Sequence, residues 1–181
     1  ISKVGHDLMS QYYYRAYDMK VIITRMFSHE GSRRDKRFAL SSFAHQIVTA
    51  EKKPDFPPYA PSFPTHPIKH GNLDSVRTYN HIDDAVHAYW LAFDKCDCGE
   101  VYNIGGSRYS NCSMLEAIRL CEEITDKMLN WNYSDTNRVG DHIWYISDVK
   151  KFKGHYPGWN FKYSVNDTLK EIFLKNKERW F

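Results

Sequence analysis

The sequence predicts an α/β fold in which helices alternate with short buried strands of a parallel sheet. A helical pattern over residues 2–17 leads directly into residues 21–26, a short apolar run rich in β-branched side chains. A second helical pattern over 82–93 leads into residues 101–104, which close on two glycines. Helices followed by short apolar strands are typical of parallel sheets covered by helices, so we expect 21–26 and 101–104 to pair.

The first helix carries an apolar stripe. Val4, Leu8, Tyr12 and Ala16 recur at every fourth position, the spacing that places side chains on one helical face. We therefore expect this stripe to be buried and the helix to pack against the sheet.

The remaining elements follow from local signals. Residues 38–51 have a helical pattern, and residues 53–67 hold six of the seven prolines, which predicts a long loop of functional or mobile character. Ser113 with Glu116 three residues later is a capping box for a helix ending near residue 125, and Ser164 caps a last helix. We also expect a strand over 128–133, a short element over 141–146 and a short helix over 148–152.

Composition excludes several classes of protein. With 42% hydrophobic and 26% charged residues, the 181-residue chain is ordinary for a globular domain with its own core. No apolar run approaches the ~18 residues of a membrane helix, and a net charge of +3 without a basic stripe gives no reason to expect nucleic acid as a partner. The pair Cys96 and Cys98 is spaced too closely for a zinc knuckle, so we expect free thiols and no metal.

Several short motifs stand at the predicted strand ends. The first strand is followed by Phe-Ser-His-Glu-Gly-Ser-Arg-Arg over 27–34, and residues 71–77 read Gly-Asn-Leu-Asp-Ser-Val-Arg. Residues 81–84 read His-Ile-Asp-Asp, and 137–148 read Asn-Arg-Val-Gly-Asp-His-Ile-Trp-Tyr-Ile-Ser-Asp. Loops after the carboxyl ends of parallel strands meet the ligand in open α/β sheets, so these motifs are candidates for a binding site.

These motifs, in this order, resemble the extended short-chain dehydrogenases/reductases of the NAD-dependent epimerase/dehydratase family. The middle of the chain resembles GDP-mannose 4,6-dehydratases, and the 137–148 motif is similar to CDP-paratose (tyvelose) 2-epimerases. The resemblance implies the C-terminal part of a Rossmann-like parallel sheet plus a smaller α/β substrate-binding domain. It also implies bound NAD or NADP and a nucleotide-diphosphate sugar as substrate.

The resemblance assigns a catalytic lysine and a cofactor site. Lys3 matches the lysine of the family Tyr-x-x-x-Lys motif, whose charge lowers the pKa of the tyrosine and which contacts the nicotinamide ribose. Seen alone, it is better explained as a solvated surface lysine. The implied cofactor contacts are Lys3, Met26, Phe27, Ser28, His29, Arg33 and Arg34. The two arginines match the family turn and suit phosphate oxygens, although arginine pairs are also common on solvated surfaces.

The resemblance also assigns substrate contacts, namely Ser28, Arg77, Arg138 and Asp141. The arginines would bind the substrate diphosphate. Ser28 stands where the family turn has an asparagine that touches the sugar nucleotide, and Thr78 stands where an aspartate usually follows the arginine. Asp83 is also explained as an acid at a helix N-terminus.

The implied domains are 1–32, the end of the dinucleotide-binding domain; 33–80, a substrate-domain insertion; 81–106, a return to the Rossmann sheet; and 107–181, the C-terminal substrate-binding domain. The sequence has no initial methionine and no glycine-rich phosphate loop, so we expect part of a longer enzyme, inactive by itself. The expected activity of the complete protein is that of a nucleotide-diphosphate-sugar epimerase or dehydratase, homo-oligomeric and cytoplasmic. The alternative is a non-catalytic binding or structural fragment that retains half of a sugar-nucleotide site.

Overall fold

The computed structural model describes residues 2–50, 68–70, 73–95, 97–129, 131–133, 140–177 and 179. The helices are α1 (Ser2–Tyr17), α2 (Ala39–Ala50), α3 (Ile82–Lys95), α4 (Met114–Thr125), α5 (Lys150–His155) and α6 (Val165–Asn176). The strands are β1 (Ile23–Met26), β2 (His29–Glu30), β3 (Ile68–His70), β4 (Val76–Thr78), β5 (Asn80–His81), β6 (Val101–Ile104), β7 (Asn111–Ser113), β8 (Trp131–Tyr133) and β9 (Trp144–Tyr145). The predicted loop over 53–67 and the glycine and asparagine at 71 and 72 lie outside the described residues.

The predicted parallel pairing is confirmed. Strand β1 pairs with β6 in parallel, with Ile23 opposite Val101 and Met26 opposite Ile104. The strand is two residues shorter than predicted because the carbonyl of Val21 accepts instead from the amide of Gly99, in the turn before β6.

The other strands form small sheets beside this pair. Strands β2 and β5 are parallel, as are β3 and β8, while β4 lies between antiparallel β7 and parallel β9. The strand predicted over 128–133 reduces to β8, and Met128 is exposed. The short element predicted over 141–146 is β9, and the helix predicted over 148–152 is α5, which begins two residues later.

Two hydrophobic clusters hold the fold together. The first lies between α2, α4 and α6, and includes the fully buried side chains of Phe43, Ala117 and Leu169. The second joins α3 and β6 to the α5 region, through residues such as Ala88 and Trp159. Because α3 and β6 pack on this second cluster, the carboxyl end of β6 is fixed in position, and so is the carboxyl end of β1, which pairs with it.

Both predicted N-caps are present. The hydroxyl of Ser113 accepts from the amide of Glu116, whose carboxylate accepts from the amide of Ser113 at 2.7 Å. Ser164 and Asp167 form the same reciprocal arrangement at the start of α6. Each box satisfies amide groups that the first helical turn leaves without partners.

The prediction of a buried stripe on α1 is wrong. Val4 and Leu8 are each 62% exposed, and no residue of α1 is buried. The helix instead contacts the sheet through Asp7, which binds Arg25, and through Tyr14, whose ring lies against Gly99. Helical periodicity identifies an apolar face but not the element that covers it.

The cysteines differ from the prediction of free thiols. Cys98 is disulfide-bonded, which corrects that expectation, whereas Cys112 and Cys121 are free and buried. Cys96 lies outside the described residues. Among the helices described, none combines the length and the apolar character needed to cross a membrane.

Candidate active site

The carboxyl ends of β1 and β6 are held close together. The amide of Phe27 donates to the carbonyl of Ile104 at 2.8 Å, which extends the parallel pairing by one residue. Gly105 follows directly, and a Cβ atom there would lie 2.8 Å from the Cβ of Phe27 and 2.6 Å from the hydroxyl of Ser147. The close approach of these three segments therefore requires glycine at this position.

A cavity of about 680 Å³, the α1–β1 cavity, separates α1 from β1. It brings together three of the predicted cofactor contacts, Lys3, Met26 and Phe27. Its other lining residues are Val4, His6, Asp7, Ser10, Ile22, Ile23, Thr24, Arg25, Tyr89 and Tyr145. Successive strand residues point to opposite faces, so a cavity that touches all of β1 runs along the edge of this strand. Within the described residues, β1 pairs with β6 alone.

Polar contacts cross this cavity. Arg25 donates to the carboxylate of Asp7 at 2.7 Å, and this hydrogen bond lowers the pKa of Asp7. Thr24 donates to the hydroxyl of Tyr89 at 3.1 Å. The two contacts link α1 and α3 to β1 on either side of the cavity.

Two predicted substrate contacts form an ion pair. Arg77 in β4 donates to the carboxylate of Asp141, although 64 residues separate them. Both side chains are partly buried, with 33% of the Arg77 side chain and 24% of the Asp141 side chain exposed. Arg138 lies outside the described residues.

An aromatic row connects this ion pair to the α1–β1 cavity. Tyr145 in β9 lies opposite Arg77 in the parallel register. Its ring stacks on Phe27 with centroids 4.5 Å apart and on His142 with centroids 5.0 Å apart. Tyr145 was not singled out from the sequence because a two-residue strand has no periodicity; its place between two predicted site residues is visible only in three dimensions.

The other predicted cofactor contacts lie apart from Lys3. His29, Arg33 and Arg34 line a second cavity of about 460 Å³, the β2–α6 cavity, together with Glu30, Gly31, Ser32, Ile82, Asp83, Glu171 and Lys175. Ser28 lines neither of these two cavities, although its sequence neighbours Phe27 and His29 line one each, and its carbonyl accepts from the amide of Asn80 at 2.9 Å.

Two residues of the β2–α6 region were not assigned a role from the sequence. Glu30 is almost fully buried, and burial raises the pKa of its carboxyl to about 7. His81 is fully buried and accepts from the amide of Asp83 at Nδ1, which leaves Nε2 to donate to Glu171 at 3.0 Å. Both residues belong to sequence motifs described above. Their membership of these motifs is the sequence signal that could have identified them as site residues.

The described side chains offer no metal centre. In the parts of the chain that the structure covers, no three His, Cys, Asp or Glu side chains come together in an arrangement that could hold a metal ion.

A family model described as GDP-mannose 4,6 dehydratase matches residues 1–172. The chain belongs to this family. Its members are extended short-chain dehydrogenases/reductases, which agrees with the motifs at the ends of β1 and β4.

The curated relatives are distant and longer. The low-salt glycan biosynthesis protein Agl12 of Haloferax volcanii is 26% identical over 164 residues, which are 89% of this chain and 47% of that protein. The dTDP-glucose 4,6-dehydratase of Haemophilus influenzae is 25% identical over 91% of this chain and 42% of its own length. The chain thus spans less than half the length of each of these two relatives.

Solved structures share the fold. RMD from Pseudomonas aeruginosa, complexed with NADPH, has a TM-score of 0.81 at 19% identity and covers 98% of this chain, which matches 55% of that one. UDP-glucuronic acid 4-epimerase from Bacillus cereus, in complex with UDP-glucuronic acid and NAD, has a TM-score of 0.80 at 20% identity. This chain matches 51% of that epimerase. At these identities the likeness concerns the fold alone.

Proposed function

We propose that the complete protein is an NAD(P)-dependent epimerase or dehydratase acting on a nucleotide-diphosphate sugar. The observation that carries this proposal is the row from the Arg77–Asp141 ion pair through Tyr145 to Phe27. In this proposal the row links an arginine suited to a diphosphate to Phe27, which follows β1 and lines the cavity proposed to hold the cofactor. The names of relatives, such as dTDP-glucose 4,6-dehydratase, support the same class of activity.

The residues present fit one end of the cofactor. Lys3, Met26 and Phe27 share the α1–β1 cavity, and its volume is sufficient for a nicotinamide riboside. Lys3 would bind the ribose hydroxyls and lower the pKa of a tyrosine one helical turn away. Bound NAD or NADP supplies a hydride acceptor and donor for transient oxidation of the sugar.

Substrate binding falls to β4 and β9 in this proposal. The guanidinium of Arg77 presents two parallel donors to diphosphate oxygens, and Asp141 holds it in place. Arg138, three residues before Asp141 in the sequence, would add a second cation. Binding energy gained at the diphosphate, far from the reacting sugar carbon, is available to orient that carbon.

Other properties of the complete protein are part of the proposal. The exposed apolar face of α1 supports a homo-oligomer. The domain division at residues 32, 80 and 106 is retained as a proposal, although α5 of the last segment packs against β6 of the Rossmann segment. The activities of the relatives lead us to propose lyase or isomerase chemistry. We also propose a cytoplasmic location. The free, buried thiols of Cys112 and Cys121 agree with a reducing compartment, whereas the disulfide at Cys98 counts against it.

A second function has one observation in its favour. The Arg77–Asp141 ion pair can contact an anion without a catalytic group, which suits a non-catalytic binding or structural fragment with half of a sugar-nucleotide site.

An assay of the complete protein separates the two functions. The protein is incubated with NAD or NADP and with UDP-, dTDP-, GDP- or CDP-linked hexoses, and the products are analysed by NMR and mass spectrometry. We expect one sugar nucleotide to be epimerised or to lose water, with activity abolished by Lys3→Met and retained by Lys20→Met. No conversion of any of these substrates would leave the binding function.

A further inference from the structure

A third cavity, the β9–α5 cavity, lies between β9, α5 and the loop after β6. It has a volume of about 410 Å³ and is lined by residues 107–108, 144 and 146–150, and by Lys153 and Phe161. The neighbours Trp144 and Tyr145 line different cavities, because successive strand residues point to opposite faces. The β9–α5 cavity therefore lies on the other face of β9 from the aromatic row described above.

Hydrogen bonds fix one wall of this cavity. The side chain of Ser147 is buried, and its hydroxyl accepts from the amide of Ser107 at 2.9 Å. The side-chain amide of Asn111 donates to the carbonyl of Arg108 at 2.8 Å. These contacts hold the backbone that carries Arg108 against β9. A wall that is already ordered lowers the entropic cost of binding a ligand.

The charges around the cavity favour an anion. Three cationic side chains and one carboxylate line it, namely Arg108, Lys150, Lys153 and Asp148. Lys153 donates to the side chain of Asn160 at 2.9 Å, which holds its charge at the wall. In the described part of the chain, no carboxylate forms an ion pair with Arg108 or Lys150. Both cations are therefore available to an anionic ligand.

Trp144 offers the cavity an uncovered aromatic face. Its side chain is 64% exposed, and it contacts no other aromatic ring among the described residues. Phe161, by contrast, is stacked on Tyr109 with centroids 5.2 Å apart, and Nζ of Lys153 lies 4.2 Å from its ring centroid. Trp144 is thus the ring on which a planar ligand can stack, as nucleobases do on exposed aromatic side chains.

We propose that the β9–α5 cavity binds a nucleoside monophosphate, with the base stacked on Trp144 and the phosphate bound by Arg108 and Lys150. The volume of about 410 Å³ accommodates one base, one ribose and one phosphate. Neither Arg77 nor Tyr145 lines this cavity, so the site does not depend on the proposed function.

Titration of the complete protein with UMP, CMP, GMP and AMP tests this site. Calorimetry gives the dissociation constants, and NMR follows the indole Nε1–H signal of Trp144, which is assigned by its loss in Trp144→Leu. We expect at least one nucleotide to bind and to shift this signal. Arg108→Gln, Lys150→Gln and Trp144→Leu should each raise its dissociation constant about tenfold, whereas Trp144→Phe keeps a ring and should retain most of the affinity.

The matched controls are Arg119→Gln and Lys162→Gln. Both residues are exposed and lie outside the cavity lining, so neither substitution should change the affinity. Losses in the controls equal to those in Arg108→Gln and Lys150→Gln would overturn the proposal in favour of general charge attraction. The three substituted lining residues are themselves exposed, so we expect all of these variants to fold.

Two further titrations separate this site from the proposed sugar-nucleotide site and from a simple anion site. In an Arg77→Gln background the nucleotide affinity should remain within about twofold of wild type, and its loss there would assign binding to the other site. Inorganic phosphate should bind at least tenfold more weakly than the nucleotide, because it lacks the stacked base. Equal affinity for inorganic phosphate, or no binding of any of the four nucleotides, would contradict the proposal.

Discussion

The side of the molecule built from α2, α4 and α6 is closed, whereas the side built from α1 and β1 is open. Phe43, Ala117 and Leu169 on the closed side are fully buried, but Val4 and Leu8 on α1 are mostly exposed. Both sides have amphipathic helices, of 16 residues in α1 and of 12 residues in each of α2, α4 and α6. The difference shows that an apolar stripe stabilises the fold only where another described element covers it.

A pair of leucine truncations should give the largest difference in the free energy of unfolding between the two sides. Leu169→Ala should lower the free energy of unfolding by about 3 kcal/mol, because it removes a fully buried side chain and leaves a cavity. Leu8→Ala, at a position that is 62% exposed, should change it by less than ~0.5 kcal/mol. Urea denaturation of both variants measures the contrast, and equal losses would mean that α1 is covered in solution.

A buried carboxyl in β2, beside α6 of the closed side, gives the stability of the fold a pH dependence. Burial raises the pKa of Glu30 from 4.5 to about 7, so between these values the folded state binds more protons than the unfolded state. The free energy of unfolding should therefore fall as pH rises through this window, by at most ~3 kcal/mol. Glu30→Gln should flatten the pH profile of urea denaturation relative to wild type, whereas exposed Glu123→Gln should leave it unchanged. A wild-type profile without this slope would contradict the burial of Glu30.

Two adjacent aspartates provide a further contrast. Asp84 is fully buried, and its carboxylate accepts from the amides of Lys162 and Tyr163 at 3.0 and 3.3 Å. Asp84→Ala should cost about 2 kcal/mol because two amides lose a charged acceptor, and Asp84→Asn should recover most of this. Asp83→Ala, with an exposed side chain, serves as the control in thermal and urea unfolding. A comparable loss at Asp83 would show that helix N-terminal charge, not the buried contact, is responsible.

The smallest effect concerns helix capping. Ser164→Ala removes one half of the capping box of α6 and should cost about 1 kcal/mol. Ser10→Ala lies within exposed α1 and should have little effect or a slight benefit, since alanine has the higher helix propensity. Calorimetric unfolding of the two variants gives the difference directly; similar shifts in Tm would argue against the cap.

Local signals predicted much of the secondary structure but little of the site geometry. The caps at Ser113 and Ser164 followed from residues close together in sequence, and the parallel pairing of β1 with β6 followed from the alternation of helices with short apolar strands. The pairing of Arg77 with Asp141 and the stacking of Phe27 on Tyr145 join segments far apart in sequence, through strands of two or three residues that carry no periodicity.

The sequence identified the candidate residues but did not predict which of them lie together in the structure. The resemblance placed seven residues at the cofactor, yet Lys3, Met26 and Phe27 line one cavity while His29, Arg33 and Arg34 line another. The cavity that each side chain of the 27–34 turn enters depends on the individual contacts of that side chain. The stacking of Arg34 on Phe38 and the burial of Glu30 are contacts of this kind, and no sequence pattern encodes them.

The central claim is that Arg77, paired with Asp141, binds the diphosphate of a sugar nucleotide, and calorimetry on the complete protein tests it most directly. Arg77→Gln should raise the dissociation constant of the matching nucleoside diphosphate about 10- to 100-fold, the effect of losing a charge-assisted contact, while NAD or NADP binds as in wild type. Arg119→Gln, an exposed arginine of α4, should change neither constant. Unchanged nucleoside diphosphate affinity in folded Arg77→Gln, or an equal loss in Arg119→Gln, would contradict the claim.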